Sequence, residues 1–324
     1  MSNSVSIHSF RSLPKSDFHN HCLLGGKRSI IEKFYGQKLA RFKSANQGIY
    51  DLNRWIGKEF RPFIELPGGF EKAVEAAFIQ ARFDGVTRLE MSIDLFFGRL
   101  FNVTPERIVS TLKQYHHTIA PTIDFTPELG FPRNLPVRTL LQSFEPYLDF
   151  GYFKSIDLYD DEFAQPIKSF REIYRFAKQQ GFKCKAHVGE FGSADSVKEA
   201  VEVLELDAVQ HGIAAADSPL VMKWLADHKI PLNVCPTSNI KLKMARSYKT
   251  HPIRILFDHG VKVTINTDDA LVFGDGVSEQ YLKLVKAGVF TVGEMEVVRK
   301  NGIGFAGVQT LSGLSDTDRS GLPT

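Results

Sequence analysis

An α/β fold, the TIM (β/α)8 barrel, is predicted by this sequence on three observations. Eight apolar runs of strand length recur along the chain. Longer segments of helical period separate them, the alternation expected of parallel strands joined by helical crossovers. The length, 324 residues, suits such a barrel as a single unit.

Taken in order, the strands are expected near residues 15–21, 86–93, 122–129, 152–158, 182–188, 207–212, 230–235 and 261–266. Helices are expected at 70–83, 105–119, 169–180 with Gly181 as its stop, 193–204 and 218–228. Residues 27–65 carry aromatic and apolar positions without a strand pattern. They read as a helical excursion after strand one placed to cover the barrel mouth, a lid insertion or equally an ordinary surface subdomain. Segments 277–288 and 292–305 read as extra C-terminal helices packed outside the barrel. One domain is expected over 1–308, and the Ser-, Asp- and Gly-rich tail 309–324 is expected to be disordered.

Composition narrows the function. A hydrophobic fraction of 43% supplies a core, and 40 Lys+Arg against 37 Asp+Glu leave a charge of only +3 without a like-charge run. A nucleic-acid or membrane surface is therefore not expected, and a small molecule is the expected partner. The first residues carry no basic-then-apolar leader and no window reaches membrane-span length, so the expected location is cytoplasmic. Cys22, Cys184 and Cys235 are too scattered for a disulfide framework or zinc ribbon and read as reduced thiols.

Chemistry in such a barrel sits at the C-terminal strand ends. Strand one ends in His19-Asn20-His21, where i and i+2 share a face; strand five ends in His187-Val188-Gly189-Glu190, strand six in His211-Gly212, and strand eight in Asp268-Asp269. His19, His21, His187 and Asp268 form an N3O set suited to one divalent ion with an open position. A lone histidine is more often a core or surface residue than a ligand, and His116, His117, His228, His251 and His259, on helices or loops, keep that reading. Asp268-Asp269 alone would read as a cap or turn, and Glu190 alone as a salt-bridge partner. The pleat places Asp17 and Lys185 two residues before His19 and His187, and a luminal ion pair between them is expected. Phe60, Phe63, Phe96, Phe97 and Phe101 fall near the mouth.

Leu13-Pro14-Lys15 before His-x-His, then His187-x-Gly189-Glu190, His211-Gly212, Cys235-Pro236-Thr237-Ser238-Asn239 and Asn266-Thr267-Asp268-Asp269 resemble, in order, the signatures of the adenosine deaminase family of metal-dependent hydrolases. The resemblance runs from residue 13 to about 270. It implies a zinc-dependent aminohydrolase acting on C–N bonds in cyclic amidines, with one Zn2+, or another divalent metal, held by the N3O set. It implies that His211 takes the proton of the attacking water, that Glu190 protonates the adjacent ring nitrogen, and that Asp269 hydrogen-bonds the purine's imidazole nitrogen. Cys235 to Asn239 reads as a rigid loop at the mouth, since no histidine or acid is placed to make Cys235 a nucleophile.

The recognition groups depart from the family. Its acid after the second histidine, which contacts a nucleoside's sugar, is replaced by the run Cys22-Leu23-Leu24, and no acid follows before Glu32. Asp160 stands where the family has the glycine whose backbone approaches the purine, and strand two reads Glu90-Met91-Ser92 where an arginine often follows the glutamate. Leu23, Asp160 and Asp269 are therefore the expected substrate-binding positions. The substrate is expected to be an amino-purine or related amino-heterocycle, taken with water, and need not be adenosine. The alternatives are another mononuclear hydrolase of the superfamily and a non-catalytic purine-binding protein; the small cytidine deaminase signature is absent.

Overall fold

The computed structural model describes residues 5–96, 98 and 101–304. Eight strands form one sheet: β1 (Lys15–Asp17), β2 (Val86–Asp94), β3 (Asp124–Pro132), β4 (Ser155–Tyr159), β5 (Lys183–Val188), β6 (Ala208–His211), β7 (Leu232–Val234) and β8 (Val263–Ile265). Each pairs in parallel with its sequence neighbours, in the order β1 to β8. All eight lie where the apolar runs place them. The seam between β1 and β8 is made largely by side chains: Phe18 N donates to Asn266 Oδ1 at 2.8 Å and Thr267 N to Asp17 Oδ1 at 3.0 Å. Asp268 N then donates to His19 O at 2.8 Å. Regular β1 therefore stops at Asp17, shorter than expected, and His19 to His21 continue through single bridges to Asp268 and Ser92.

Crossover helices follow from their sequences. Gly69–Phe83 buries Phe70, Val74, Ala77, Phe78 and Ala81 on one stripe, the spacing of a helix face turned to a sheet. Ala194–Leu204 starts at Ser193, whose side chain accepts from Ser196 N, and Pro219–Asp227 starts at Ser218, which accepts from Val221 N. The last helix, Val292–Ile303, is opened by a Thr291/Glu294 capping box and buries Arg299, which bonds Glu296 and the Pro14 carbonyl at the base of the barrel. The tail 309–324 and Phe97 lie outside the described residues.

The excursion is helical, as expected: Arg28–Tyr35, Ile49–Trp55, a π-turn at Ile56–Phe60, and Arg61–Ile64. Asp51 orders its entry by accepting from Ala45 N at 2.7 Å and Gln47 N at 2.9 Å. Tyr50 OH reaches Asp161 at 2.7 Å and Asn53 Nδ2 reaches Asp160 at 3.2 Å, tying the excursion to the end of β4.

Two expectations are corrected. Asp17 and Lys185 do not pair: Asp17 turns into the β1–β8 seam, bonding Thr267 N and Asn20 Nδ2. Lys185 Nζ instead meets Glu90 at 2.7 Å and Glu128 at 2.6 Å, and donates to the Phe18 carbonyl at 3.0 Å. Pleat parity reports which side of the sheet a residue faces but not its direction around the barrel. Second, the segment after Cys235 is a helix, Pro236–Lys241, rather than a loop, with Pro236 in its first turn where a missing N–H costs nothing.

Candidate active site

Four imidazoles converge at the C-terminal mouth. Ring centroids of His19 lie 5.4 Å from His21 and 4.5 Å from both His187 and His211. Ligating atoms of His19, His21 and His187 all lie within 4.8 Å of one another. Asp268 Oδ1 completes the group, 3.6 Å from His19 Nε2 and 3.4 Å from His21 Nε2.

The outer nitrogens of two rings are committed to protein acceptors: His187 Nδ1 to Asp157 Oδ1 at 3.2 Å, and His19 Nδ1 to the Asn233 carbonyl at 3.4 Å. Such contacts turn Nε2 toward the shared point. His19 Nε2 is buried there and makes no hydrogen bond. Burial and the crowding of imidazoles hold the His19 pKa well below its ordinary value and bring His21 down to about 3, so both rings are neutral with free lone pairs. The donor set fits a divalent ion. Cys235, within the same distance of His19 and His211, has its thiol pushed well up by burial and stays protonated.

Around this point stand the other site residues. His211 Nε2 lies 3.4 Å from Glu190 Oε2 and 3.8 Å from Asp268 Oδ2. The loop bearing Glu190 is fixed by Glu162, which accepts from Gly189 N at 2.6 Å, Phe191 N at 2.5 Å and Gly192 N at 3.0 Å. Gly189 is required there: its φ is +68° and a Cβ would meet Val197 Cγ2 at 2.3 Å. Burial, reinforced by Asp268, raises the Glu190 carboxyl well above the carboxylate range; burial also raises Asp269 and lowers His211. His211 and Asp268 both take left-handed backbone, with φ of +61° and +59°, so their side chains turn in where the strands end.

A cavity of about 440 Å3 opens above the group. His21, His187, Glu190, His211, Asp268 and Asp269 line its floor, and Leu23 and Asp160 its wall. His19 sits beneath, 1% exposed. The excursion contributes Leu52, Ile56 and Phe60 to the roof; Phe96 and Phe101 line it too, whereas Phe63 packs on Tyr35 away from it. Asp160, with φ of +79°, accepts from Asn53 and from Asn134 Nδ2 at 2.7 Å. Lys154, whose ammonium reaches the Gly151 carbonyl at 2.7 Å, precedes β4 and offers no lysine at that strand's end.

Sequence reasoning missed Asn239, Ser92, Asp94 and Tyr159. Asn239 Nδ2 donates to His211 Nδ1 at 3.1 Å, which leaves the proton of the neutral ring on Nε2; the amide turned over would put its oxygen on Nδ1 and free Nε2. Ser92, Asp94 and Tyr159 line the cavity. The strand-end rule that found His19 and His21 would have found Ser92 and Asp94, an i, i+2 pair closing β2.

A parallel eight-stranded barrel whose strand ends gather imidazoles and acids under one cavity defines a barrel enzyme of the hydrolase class. The model of the family described as adenosine deaminase matches residues 139–310. A putative adenosine/adenine deaminase of Treponema pallidum is 34% identical over 286 residues, 88% of this chain and 96% of the relative. An adenine deaminase of Rhodopseudomonas palustris is 37% identical over 317 residues, 93% of this chain and 91% of the relative. An amidohydrolase of Burkholderia ambifaria solved with bound zinc superposes with a TM-score of 0.77 at 20% identity, over 93% of this chain and 89% of that one. The chain belongs to the adenosine deaminase family. It is a hydrolytic deaminase acting on C–N bonds, of a metal-dependent family. Among the described residues no helix is long and apolar enough to cross a membrane.

Proposed function

We propose that this chain deaminates a free amino-purine base, adenine foremost, with one zinc ion held by His19, His21, His187 and Asp268. The observation that carries the reading is a neutral-acid candidate, Glu190, 3.4 Å from a neutral imidazole, His211, beside an N3O donor set. When bound, the ion supplies Lewis acidity that lowers the pKa of water from about 15.7 to about 7. Glu190, kept protonated by burial, donates to the purine N1 and makes C6 electrophilic. His211, once the Asn239 amide turns so that its oxygen accepts from Nδ1, removes a proton at Nε2 from the water attacking C6 and delivers it to the departing amino group. Asp269, in the cavity floor, holds the imidazole N7. Ammonia leaves, C6 becomes a carbonyl, and the second water proton restores the Glu190 acid.

The free base is favoured because Leu23 and Leu24 line the wall where the family places its sugar-contacting acid. The adenine deaminase relative at 37% identity supports the same choice. Residues 1–308 act as one catalytic domain with 27–65 as its lid, and Leu23, Asp160 and Asp269 contact the substrate. Three buried free thiols suit the reducing cytoplasm. The test is ammonia release from adenine and adenosine by the zinc-reconstituted protein, with Glu190→Gln as control. Turnover of adenine above adenosine, abolished by the substitution, is expected. Exclusive turnover of adenosine would overturn the free-base assignment, and silence with metal bound would overturn deamination.

A further inference from the structure

Resting on the amino-purine reading, the structure assigns substrate selection to a polar pair at the end of β2. We propose that Asp94, seconded by Ser92, accepts the ring N–H that a free purine base carries and a nucleoside has lost to its glycosidic bond.

The two residues stand at i and i+2 on β2 and both line the cavity. Ser92 is 5% exposed, and its Oγ, buried beside Gly130, makes no hydrogen bond, an unspent polar group at the cavity wall. Its strand position bridges His21, which places it directly beside the imidazole cluster. Asp94 is anchored from behind. Phe96 N donates to Oδ1 at 2.5 Å and Tyr159 OH donates to Oδ2, so the carboxylate is held in one orientation with lone pairs remaining on both oxygens. A carboxylate fixed by two donors, in a wall that carries Leu23, Phe96, Phe101 and a second carboxylate, Asp160, wants a third donor from the ligand. Burial already pushes Asp94 up to about 7, against the pull of the Phe96 N–H, so a donor arriving there relieves a real cost.

The location gives the donor's identity. Glu190 on the β5 side and Asp269 on the β8 side account for N1 and N7 in the proposed orientation. The wall reached by passing from β8 through β1 to β2 and on to β4 faces the opposite edge of the purine, N3 and N9. Free adenine has a mobile N–H on that edge. Adenosine has a sugar there, and 9-methyladenine has a methyl group and no donor. An acceptor at this point rewards the free base and leaves its own desolvation uncompensated with the others.

The experiment compares the zinc-loaded wild-type protein, Asp94→Asn and Ser92→Ala on adenine, 9-methyladenine and adenosine. Asn keeps an acceptor for Phe96 N, so the fold of the turn is preserved while the acceptor facing the ligand becomes half donor. Expected are a wild-type preference for adenine over 9-methyladenine, and in Asp94→Asn a KM for adenine raised at least tenfold. Its kcat should stay within about threefold, and its kcat/KM for 9-methyladenine should rise, since the uncompensated carboxylate is gone. Ser92→Ala should shift in the same direction by a smaller factor. Calorimetry of adenine on Glu190→Gln with and without Asp94→Asn should show the same tenfold loss without turnover. Equal loss on every substrate would mean a structural role, and a loss confined to adenosine would mean a sugar hydroxyl is read; either overturns the proposal. Absence of turnover for all amino-purines with the calorimetric difference intact would sink the deaminase reading and leave this one standing.

Discussion

Glu190 Oε2 lies 3.4 Å from His211 Nε2, and the two groups have their pKa values pushed in opposite directions by the same burial. An acid held protonated beside a base held neutral is a division of proton-transfer labour that water alone would reverse. The sign of its pH dependence follows. Glu190 is raised, so its required acid form is lost as pH rises through its folded pKa; His211 is lowered, so its required base form is lost only well below neutrality. The kcat/KM profile should therefore be flat through neutrality and fall on the alkaline side. In Glu190→Gln, kcat should drop by about 10²–10⁴ with zinc content unchanged, measured by ammonia release and metal analysis.

Removing the metal tests the donor set independently of turnover. His19→Ala should lose bound zinc, and chelation of the wild type should abolish activity and lower the melting temperature, with zinc restoring both. A ligand present at 100 times its Kd stabilises by about 2.7 kcal/mol, enough to read in a thermal scan. Retention of stoichiometric zinc by His19→Ala would remove that residue from the set.

The barrel and the convergence of His19, His21, His187 and Asp268 were legible because each depends on a local pattern. Apolar runs mark strands, and a histidine at a strand end is placed by the fold rather than by contacts still to be learned. Asp17 and Lys185 show where that stops: both are buried, as their pleat position requires, yet one faces the β8 seam and the other faces Glu90 and Glu128. Which way a luminal side chain leans depends on barrel tilt and on neighbours distant in sequence. Asn239 was hidden for a related reason, since its partner His211 is 28 residues away and only a short helix after β7 brings the amide to the ring.

Asp160 bears on the excursion at 27–65. Its left-handed backbone would be cheaper for glycine, while its carboxylate bonds Asn53 on the excursion and Asn134 on the barrel. In Asp160→Gly, relief of about 1 kcal/mol of backbone strain opposes the loss of two partly solvated hydrogen bonds of about 0.5–1.5 kcal/mol each. Stability should therefore change little, within about 2 kcal/mol by urea unfolding. The untethered excursion should raise KM severalfold with a smaller effect on kcat. Loss of kcat with KM constant would place Asp160 in the chemistry instead.

Lys185 supplies a test of what holds the lumen together. Its ammonium is 3% exposed and pairs with both Glu90 and Glu128, and Ser155 Oγ donates to Glu128 at 2.7 Å. Substituting Lys185→Met leaves two buried carboxylates facing each other without a cation, a change of about 3–5 kcal/mol by analogy with other broken buried pairs. Burial already raises Glu128 to about 7 with the lysine present, and removing the lysine raises it further. A group whose folded pKa is raised takes up protons on folding, so its contribution weakens as pH rises. The destabilisation of Lys185→Met should thus be larger at pH 8 than at pH 5, and adding Glu90→Gln and Glu128→Gln should recover part of it and flatten the dependence. A loss of stability independent of pH and not rescued by the paired amides would mean that the lysine's packing, and not its charge, holds β2, β3 and β5 in register beneath the imidazoles.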